Sequence, residues 1–206
     1  MLFIQPAPSE VRAFFCFSGS TLISFLHFKY LRCNHCVMRF FLVGFMGSGK
    51  TYWGKKWSEA SGLKCYDLDQ EIELREGKSI SRIFKEEGEE AFRKMEHTAL
   101  KTLLHLDDFI LSCGGGTPCW HNNMKLMNAA GTTIYLKSNA VDLTERLRLE
   151  KEARPLLQQV PDDLLHDFIQ ERIDQRAPCY SQATFHLPVS FLTLENFERI
   201  ERRYAK

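Results

Sequence analysis

Residues Gly44-Phe-Met-Gly-Ser-Gly49-Lys50-Thr51 constrain this chain more than any other stretch, because G-x-x-x-x-G-K-[ST] requires a strand before it and a helix after it. Both flanks are present. Arg39-Phe-Phe-Leu-Val43 is a short apolar run ending at glycine, as in a buried parallel strand. Lys50 to Ala60 reads as a helix with Trp53 and Trp57 on one face. Glycines at 44, 47 and 49 let main-chain N–H groups curl around a phosphate where a Cβ would crowd them. The following helix N-terminus adds about half a positive charge. Lys50 can reach the β- and γ-phosphates, and the Thr51 hydroxyl can ligate Mg²⁺. A chance glycine-rich turn would not match every fixed position with both flanks correct. The motif therefore implies ATP and Mg²⁺ but does not name the phosphate acceptor.

Downstream, apolar runs at Lys64 to Leu68, Phe109 to Leu111, Thr132 to Leu136 and Thr184 to Leu187 read as strands. Between them lie helical patterns at Gln70 to Arg75, Ile80 to Glu86 and Glu89 to Leu106, broken by Gly77 and Gly88. Further helices are expected at Val141 to Glu150, at Asp162 to Gln175 with an acid favouring its N-terminus, and at Leu194 to Tyr204. Lys151 to Pro161 is polar, basic and bounded by proline, and reads as a mobile loop. Strands alternating with helices predict an α/β fold, a parallel sheet with helices on both faces. The 206 residues suffice for one such domain.

The first 37 residues differ from the rest: rich in Phe, Ser and Cys, with Glu10 their only acid. Ala13 to Phe28 is largely apolar, but no small-x-small cleavage site follows cleanly, and it falls short of the roughly 20 apolar residues of a membrane span. Cys33-x-x-Cys36, beside His27 and His35, resembles half of a zinc site, yet no second pair lies at a ligand-like distance. Met38 stands immediately before the strand that opens the P-loop. Residues 1–37 thus read as an atypical extension, disordered or not in the native protein, and 38–206 as the folded domain. Twenty-seven basic against 26 acidic residues exert no bulk pull toward nucleic acid or anionic lipid. Seven cysteines, an odd number in mixed surroundings, suit reduced thiols in a cytoplasmic protein.

Candidate acceptor-binding residues lie where parallel strands end, since ligands collect beyond their carboxyl ends. Asp67-Leu-Asp69 closes the second strand, and its period-two spacing sets both carboxylates on one side of an extended segment. One could hold Mg²⁺ through water while the other accepts a proton from a substrate hydroxyl. Taken alone the pair suits a solvated strand end with a helix cap; beside a P-loop, function is the better reading. Arg93 and Glu96 have i,i+3 spacing: either an exposed ion pair, or an arginine aimed at a substrate carboxylate and oriented by the glutamate. Gly114-Gly-Gly116 exceeds what a turn needs and suits a main chain passing close to a ligand. Arg154, in the polar loop, could close over a transferring phosphate. Arg176 is placed near a helix end, where its charge is favourable regardless of function.

Together, G-F-M-G-S-G-K-T, D-L-D, F-R-x-x-E at Phe92 to Glu96, the Gly114 triplet, R-P-L-L at Arg154 and R-A-P-x-Y at Arg176 resemble the shikimate kinase family from Met38 to about Phe185. The resemblance implies a P-loop, nucleoside-monophosphate-kinase-like fold with a five-stranded parallel sheet and a mobile lid. It implies transfer of the ATP γ-phosphate to the 3-hydroxyl of shikimate, in chorismate and aromatic amino-acid synthesis. By position, Asp69, Arg93, Gly114, Gly115, Gly116 and Arg176 would hold shikimate, with Arg93 and Arg176 facing its carboxylate. Gly47, Ser48, Gly49, Lys50, Thr51, Tyr52 and Arg154 would serve the nucleotide, and Thr51 with Asp67 the Mg²⁺. Lys50, Asp69 and Arg154 would carry the catalysis.

The extension at 1–37 is foreign to the family pattern. Tyr52 replaces a second hydroxyl after the P-loop, altering peripheral phosphate contacts, and Arg146 and Arg148 compete for the adenine. A monomer in the cytoplasm, without nucleic-acid or membrane partners, is expected. The rival readings are a kinase of another hydroxy acid such as gluconate, and a nucleotide-binding regulator without catalysis.

Overall fold

Side chains in Arg39–Val43 (β1) point alternately to two faces of a sheet, and both faces are apolar. Phe41 and Val43 join one buried cluster, whereas Phe40 and Leu42 join another on the opposite side. A strand buried on both faces belongs in the middle of a parallel sheet. The computed structural model, which describes residues 37–154 and 156–204, has it there. The Cys33-x-x-Cys36 pair, and all of the expected extension except Val37, lie outside the described residues.

The other strands are Lys64–Asp67 (β2), Phe109–Ser112 (β3), Thr132–Lys137 (β4) and Phe185–Pro188 (β5). All pair in parallel, in the order β2-β3-β1-β4-β5. The chain leaves β1 to build β2 and β3 on one side, then crosses to build β4 and β5 on the other. The reversal leaves a crevice at the carboxyl end of β1, where an open α/β sheet takes its ligands. The five parallel strands and two-sided helical cover expected from sequence are both present.

Lys50–Ser61 (α1) and Leu194–Tyr204 (α7) cover the face that holds Phe40 and Leu42. Leu68–Glu76 (α2), Ile80–Leu103 (α3), Asn123–Ala130 (α4) and the end of Leu165–Tyr180 (α6) cover the other. Ala140–Leu149 (α5) and the start of α6 enclose a third cluster with Phe45 and Leu157. Among the described residues no helix is long and apolar enough to cross a membrane.

Several boundaries differ from the sequence reading, for physical reasons. β2 stops at Asp67, because that carboxylate accepts the Asp69 N–H and caps α2. The break at Gly88 is real, with φ 82° and ψ 173°, but α3 continues beyond it. α4 was not anticipated; it is short, its N-cap Asn122 makes no side-chain bond, and only Met124 and Met127 supply an apolar stripe. α6 begins at Leu165 rather than Asp162, since Asp162 pairs with Lys151 at 2.5 Å instead of capping. It also runs past Arg176 and through Pro178 to Tyr180. The segment read as a polar loop contains a 3-10 turn at Lys151–Ala153 and a fully buried Leu157.

Trp57 ties α1 to the sheet. It is fully buried, its ring centroid 4.4 Å from Phe40 and 4.8 Å from Phe197, and its Nε1 donates to Glu201 Oε2 at 3.2 Å. Trp57→Ala should lower unfolding free energy in urea by about 3–5 kcal/mol, the range for emptying a large aromatic site. A loss below about 1 kcal/mol would show that α1 does not depend on this contact.

Candidate active site

The phosphate-binding loop follows directly from β1. Gly47 and Gly49 have φ of 78° and 84°, which L side chains rarely adopt, and between them the Ser48 N–H donates to Phe45 O at 3.2 Å, closing a tight turn. Ser48 is fully buried with its Oγ unpartnered. Lys50 folds back into the loop and donates to the carbonyls of Gly44 at 3.0 Å and Phe45 at 2.8 Å. Burial pushes its pKa down to about 8, with Asp69, Cys113 and Asp67 acting against that fall. A buried ammonium held only by two carbonyls gains from the arrival of a polyanion.

Thr51, one residue on, donates to Asp67 Oδ2 at 2.7 Å and lies 3.2 Å from Ser112 Oγ. A hydroxyl and a carboxylate are hard oxygen donors. Mg²⁺ keeps several waters and takes one or two protein oxygens plus phosphate, so this pair fits it. Among the described residues no cluster of three or more His, Cys, Asp or Glu offers a fuller metal cage.

The two aspartates of D-L-D diverge, contrary to the extended-strand reading. Asp67 ends β2 and faces Thr51; Asp69 sits in the first turn of α2. Asp69 Oδ1 is buried without a hydrogen-bond partner. Burial first, then the negative charges of Glu96 and Asp67, push the Asp69 pKa up to about 7, against Lys50 and Arg93. A carboxyl poised near neutrality is suited to proton transfer.

Arg93 lies in α3 with two carboxylate partners, Glu96 Oε2 at 2.5 Å and Glu89 Oε1 at 2.8 Å. Glu96 is fully buried, so this is no exposed i,i+3 pair. Burial pushes the Glu96 carboxyl upward, opposed by Arg93 and by Thr117, whose hydroxyl donates to Glu96 Oε1.

The glycine triplet sits where these groups crowd. A Cβ at Gly114 would meet Glu96 Oε1 at 2.5 Å and Asp69 Oδ1 at 3.3 Å. At Gly116 it would meet the Arg93 guanidinium carbon at 2.5 Å, and at Gly115 the Met46 amide nitrogen at 3.2 Å and Arg176 Nη1 at 3.3 Å. None of the three has positive φ, so glycine is needed here for close approach rather than conformation. Arg176 lies over the Phe45 ring at 5.3 Å, with Nη1 buried and unpartnered. One turn later Tyr180 donates its hydroxyl to Gly115 O at 2.6 Å.

A cavity of about 320 Å³ opens between these elements, lined among others by Asp69, Arg93, Gly115, Arg154, Arg176 and Met46 of the phosphate loop. Arg154 is partly exposed and paired with Glu150 Oε2 at 2.5 Å. Tyr52 is not drawn in: its ring is 55% exposed, edge-on to Trp53 and beneath the Lys56 ammonium. Of the two candidate adenine arginines, Arg146 donates to Gly47 O at 3.3 Å, while Arg148 is exposed and acts on Asp162. Sequence reasoning gave no role to Thr117, Asn123 or Tyr180. Thr117 directly follows the triplet and Tyr180 closes R-A-P-x-Y, so one stood beside a quoted motif and the other inside one; Asn123 carried no signal.

Residues 46–196 match the family model described as shikimate kinase. A shikimate kinase of Parabacteroides distasonis is 46% identical over 146 residues, covering 71% of this chain and 84% of that protein. A crystal structure of shikimate kinase from Bacteroides thetaiotaomicron matches with TM-score 0.74 at 37% identity, over 81% of this chain and 98% of that one. A shikimate kinase from Acinetobacter baumannii, solved in complex with shikimate, matches with TM-score 0.73 at 27% identity, over 81% of this chain and 92% of that one.

The close approaches at the triplet leave two glycines intolerant of a side chain. Gly114→Ala drives a methyl into the buried Glu96–Thr117 contact, and Gly116→Ala drives one into the guanidinium of a buried Arg93 held by two glutamates. Each should destabilise by about 1–3 kcal/mol. A loss below about 0.5 kcal/mol for either in chemical denaturation would contradict this packing.

Proposed function

The chain belongs to the shikimate kinase family, and from that premise we propose that its cleft holds shikimate by the carboxylate between Arg93 and Arg176, with the acceptor hydroxyl against Asp69. The enzyme transfers the γ-phosphoryl group of ATP to the 3-hydroxyl of shikimate, giving shikimate 3-phosphate and ADP, a step in chorismate and aromatic amino-acid synthesis. One observation carries the site reading: Met46 of the phosphate loop, Gly115 and Arg176 line one cavity, and a Cβ at Gly115 would press on both Met46 and Arg176, so acceptor cluster and phosphate cradle share one wall.

In this reading two guanidinium groups meet one carboxylate, a strong and directional pairing. Glu96 holds Arg93 in place. Asp69, short of hydrogen-bond partners, accepts the proton of the attacking hydroxyl. Lys50 exchanges its two carbonyl partners for phosphate oxygens. Thr51 and Asp67 would hold Mg²⁺, which would neutralise charge on the phosphates. Arg154 leaves Glu150 to face the transferring group as the segment from 151 to 161 closes and excludes water. Ser48 and the loop amides cradle the phosphates, and Arg146, already against the loop, is the better placed of the two arginines for the adenine.

We read the protein as a cytoplasmic monomer that engages neither nucleic acid nor membrane. Its near-neutral charge supports the absence of nucleic-acid and membrane partners, and the free thiols of Cys65, Cys113, Cys119 and Cys179 support the cytoplasm.

ADP release in a coupled assay should depend on shikimate and not on gluconate; release with gluconate alone would move the acceptor assignment. Asp69→Asn should leave ATP affinity unchanged while lowering kcat by about 10²–10⁴-fold, the usual worth of a positioned base. Near-wild-type turnover in that variant would remove Asp69 from the chemistry.

A further inference from the structure

Glu96 is a buried carboxylate with a choice of arginines. It bonds Arg93, and the charge of Arg176 also acts on it. If Glu96 turned toward Arg176, that arginine would be neutralised within the protein and lost to a ligand. Yet Arg176 Nη1 is buried and unpartnered. Something therefore fixes the direction in which Glu96 points.

The fixing contact is made by Thr117. Its hydroxyl donates to Glu96 Oε1, which leaves Oε2 for Arg93 Nη1 at 2.5 Å. Thr117 is itself held: Asn123 Nδ2 donates to its carbonyl at 2.8 Å, and Asn123 Oδ1 lies 2.5 Å from His97 Nδ1. Thr117, Asn123 and Glu96 are all fully buried. Gly114, against the same Glu96 oxygen, has no side chain with which to substitute for the hydroxyl.

We propose that Thr117 is a positioning residue for acceptor binding, its hydroxyl orienting Glu96 so that Arg93 is aimed and Arg176 is left free for the substrate carboxylate. The proposal rests on the reading of the cleft as a shikimate site. Thr117 touches no reacting atom and acts through Glu96. Residue type matters: serine retains the hydroxyl, whereas valine retains the shape and removes the donor.

The test is steady-state kinetics on the full chain with Thr117→Val and Thr117→Ser. Thr117→Val should raise the KM for shikimate about tenfold, as expected when a charge-assisted hydrogen bond loses its geometry, and leave the KM for ATP unchanged. Thr117→Ser should restore the wild-type KM. An unchanged shikimate KM in Thr117→Val, equal rises in both KM values, or no rescue by serine would each overturn the proposal. Where Thr117→Val does not fold, Thr117→Ala, which relieves packing while still removing the donor, takes its place with the same expectations. Wild-type protein without shikimate-dependent ADP release would instead overturn the site reading itself, and the proposal with it.

Discussion

The close passage of the main chain at 114–116 is the constraint on which the rest of the site depends. A Cβ at 115 would press on the phosphate loop at Met46, and Cβ atoms at 114 and 116 would press on Asp69, Glu96 and Arg93. No side chain larger than hydrogen fits at 114 or 116 without displacing a charged group. On the proposed assignment, the distance between nucleotide cradle and acceptor cluster is thereby set by bare backbone, which does not change rotamer. Direct phosphoryl transfer needs reacting atoms about 3–3.5 Å apart, and a rigid spacer is how a protein maintains such a tolerance. The Tyr180 hydroxyl on Gly115 O secures the spacer from the α6 side.

Around that spacer the fold buries charge that would be costly if left unpaired. Lys50, Arg93, Glu96 and most of Asp69 are withdrawn from water. A buried ion pair is weak evidence for stability, because desolvation offsets its Coulombic gain. Arg93–Glu96 is better understood as stability given up to fix geometry. The unpartnered atoms support this view: of the four buried side-chain atoms without a partner among the described residues, Ser48 Oγ, Asp69 Oδ1 and Arg176 Nη1 lie at the phosphate loop or the acceptor cleft, and the fourth is Ser138 Oγ, just after β4. Buried polar atoms normally find partners, so a concentration of exceptions marks groups reserved for a ligand.

The order of motifs was legible because each local pattern agreed with the fold. An apolar run before G-F-M-G-S-G-K-T could be little else than a central parallel strand, and the triplet could be read as close approach before its neighbours were known. Contacts between distant segments were not legible. Asp67 and Asp69 look alike in sequence, and only the helix start at Leu68 turns one toward Thr51 and the other toward Glu96. Asp162 looks like a cap until Lys151 takes it. Tyr52 follows the P-loop threonine, yet its helical position directs it to Trp53 and Lys56. Thr117 stood beside the triplet without a role because its partner lies 21 residues earlier in another element.

The arginines divide according to what each has to do. Arg93 is about nine-tenths buried and held by two glutamates, one of them fully buried, so moving it would strand a buried charge. Arg154 keeps 35% of its side chain in solvent and pairs with a Glu150 that is 54% exposed. Exposed pairs of this kind contribute about 0–1 kcal/mol, so separating Arg154 from Glu150 costs little. A group that recognises a fixed carboxylate gains from being immobile. One that follows a phosphoryl group, as proposed for Arg154, gains from a weak partner, which retains it between turnovers and releases it when the phosphates arrive. On the proposed assignment the same residue type thus serves binding in one place and motion in the other, and burial of the partner carboxylate decides which.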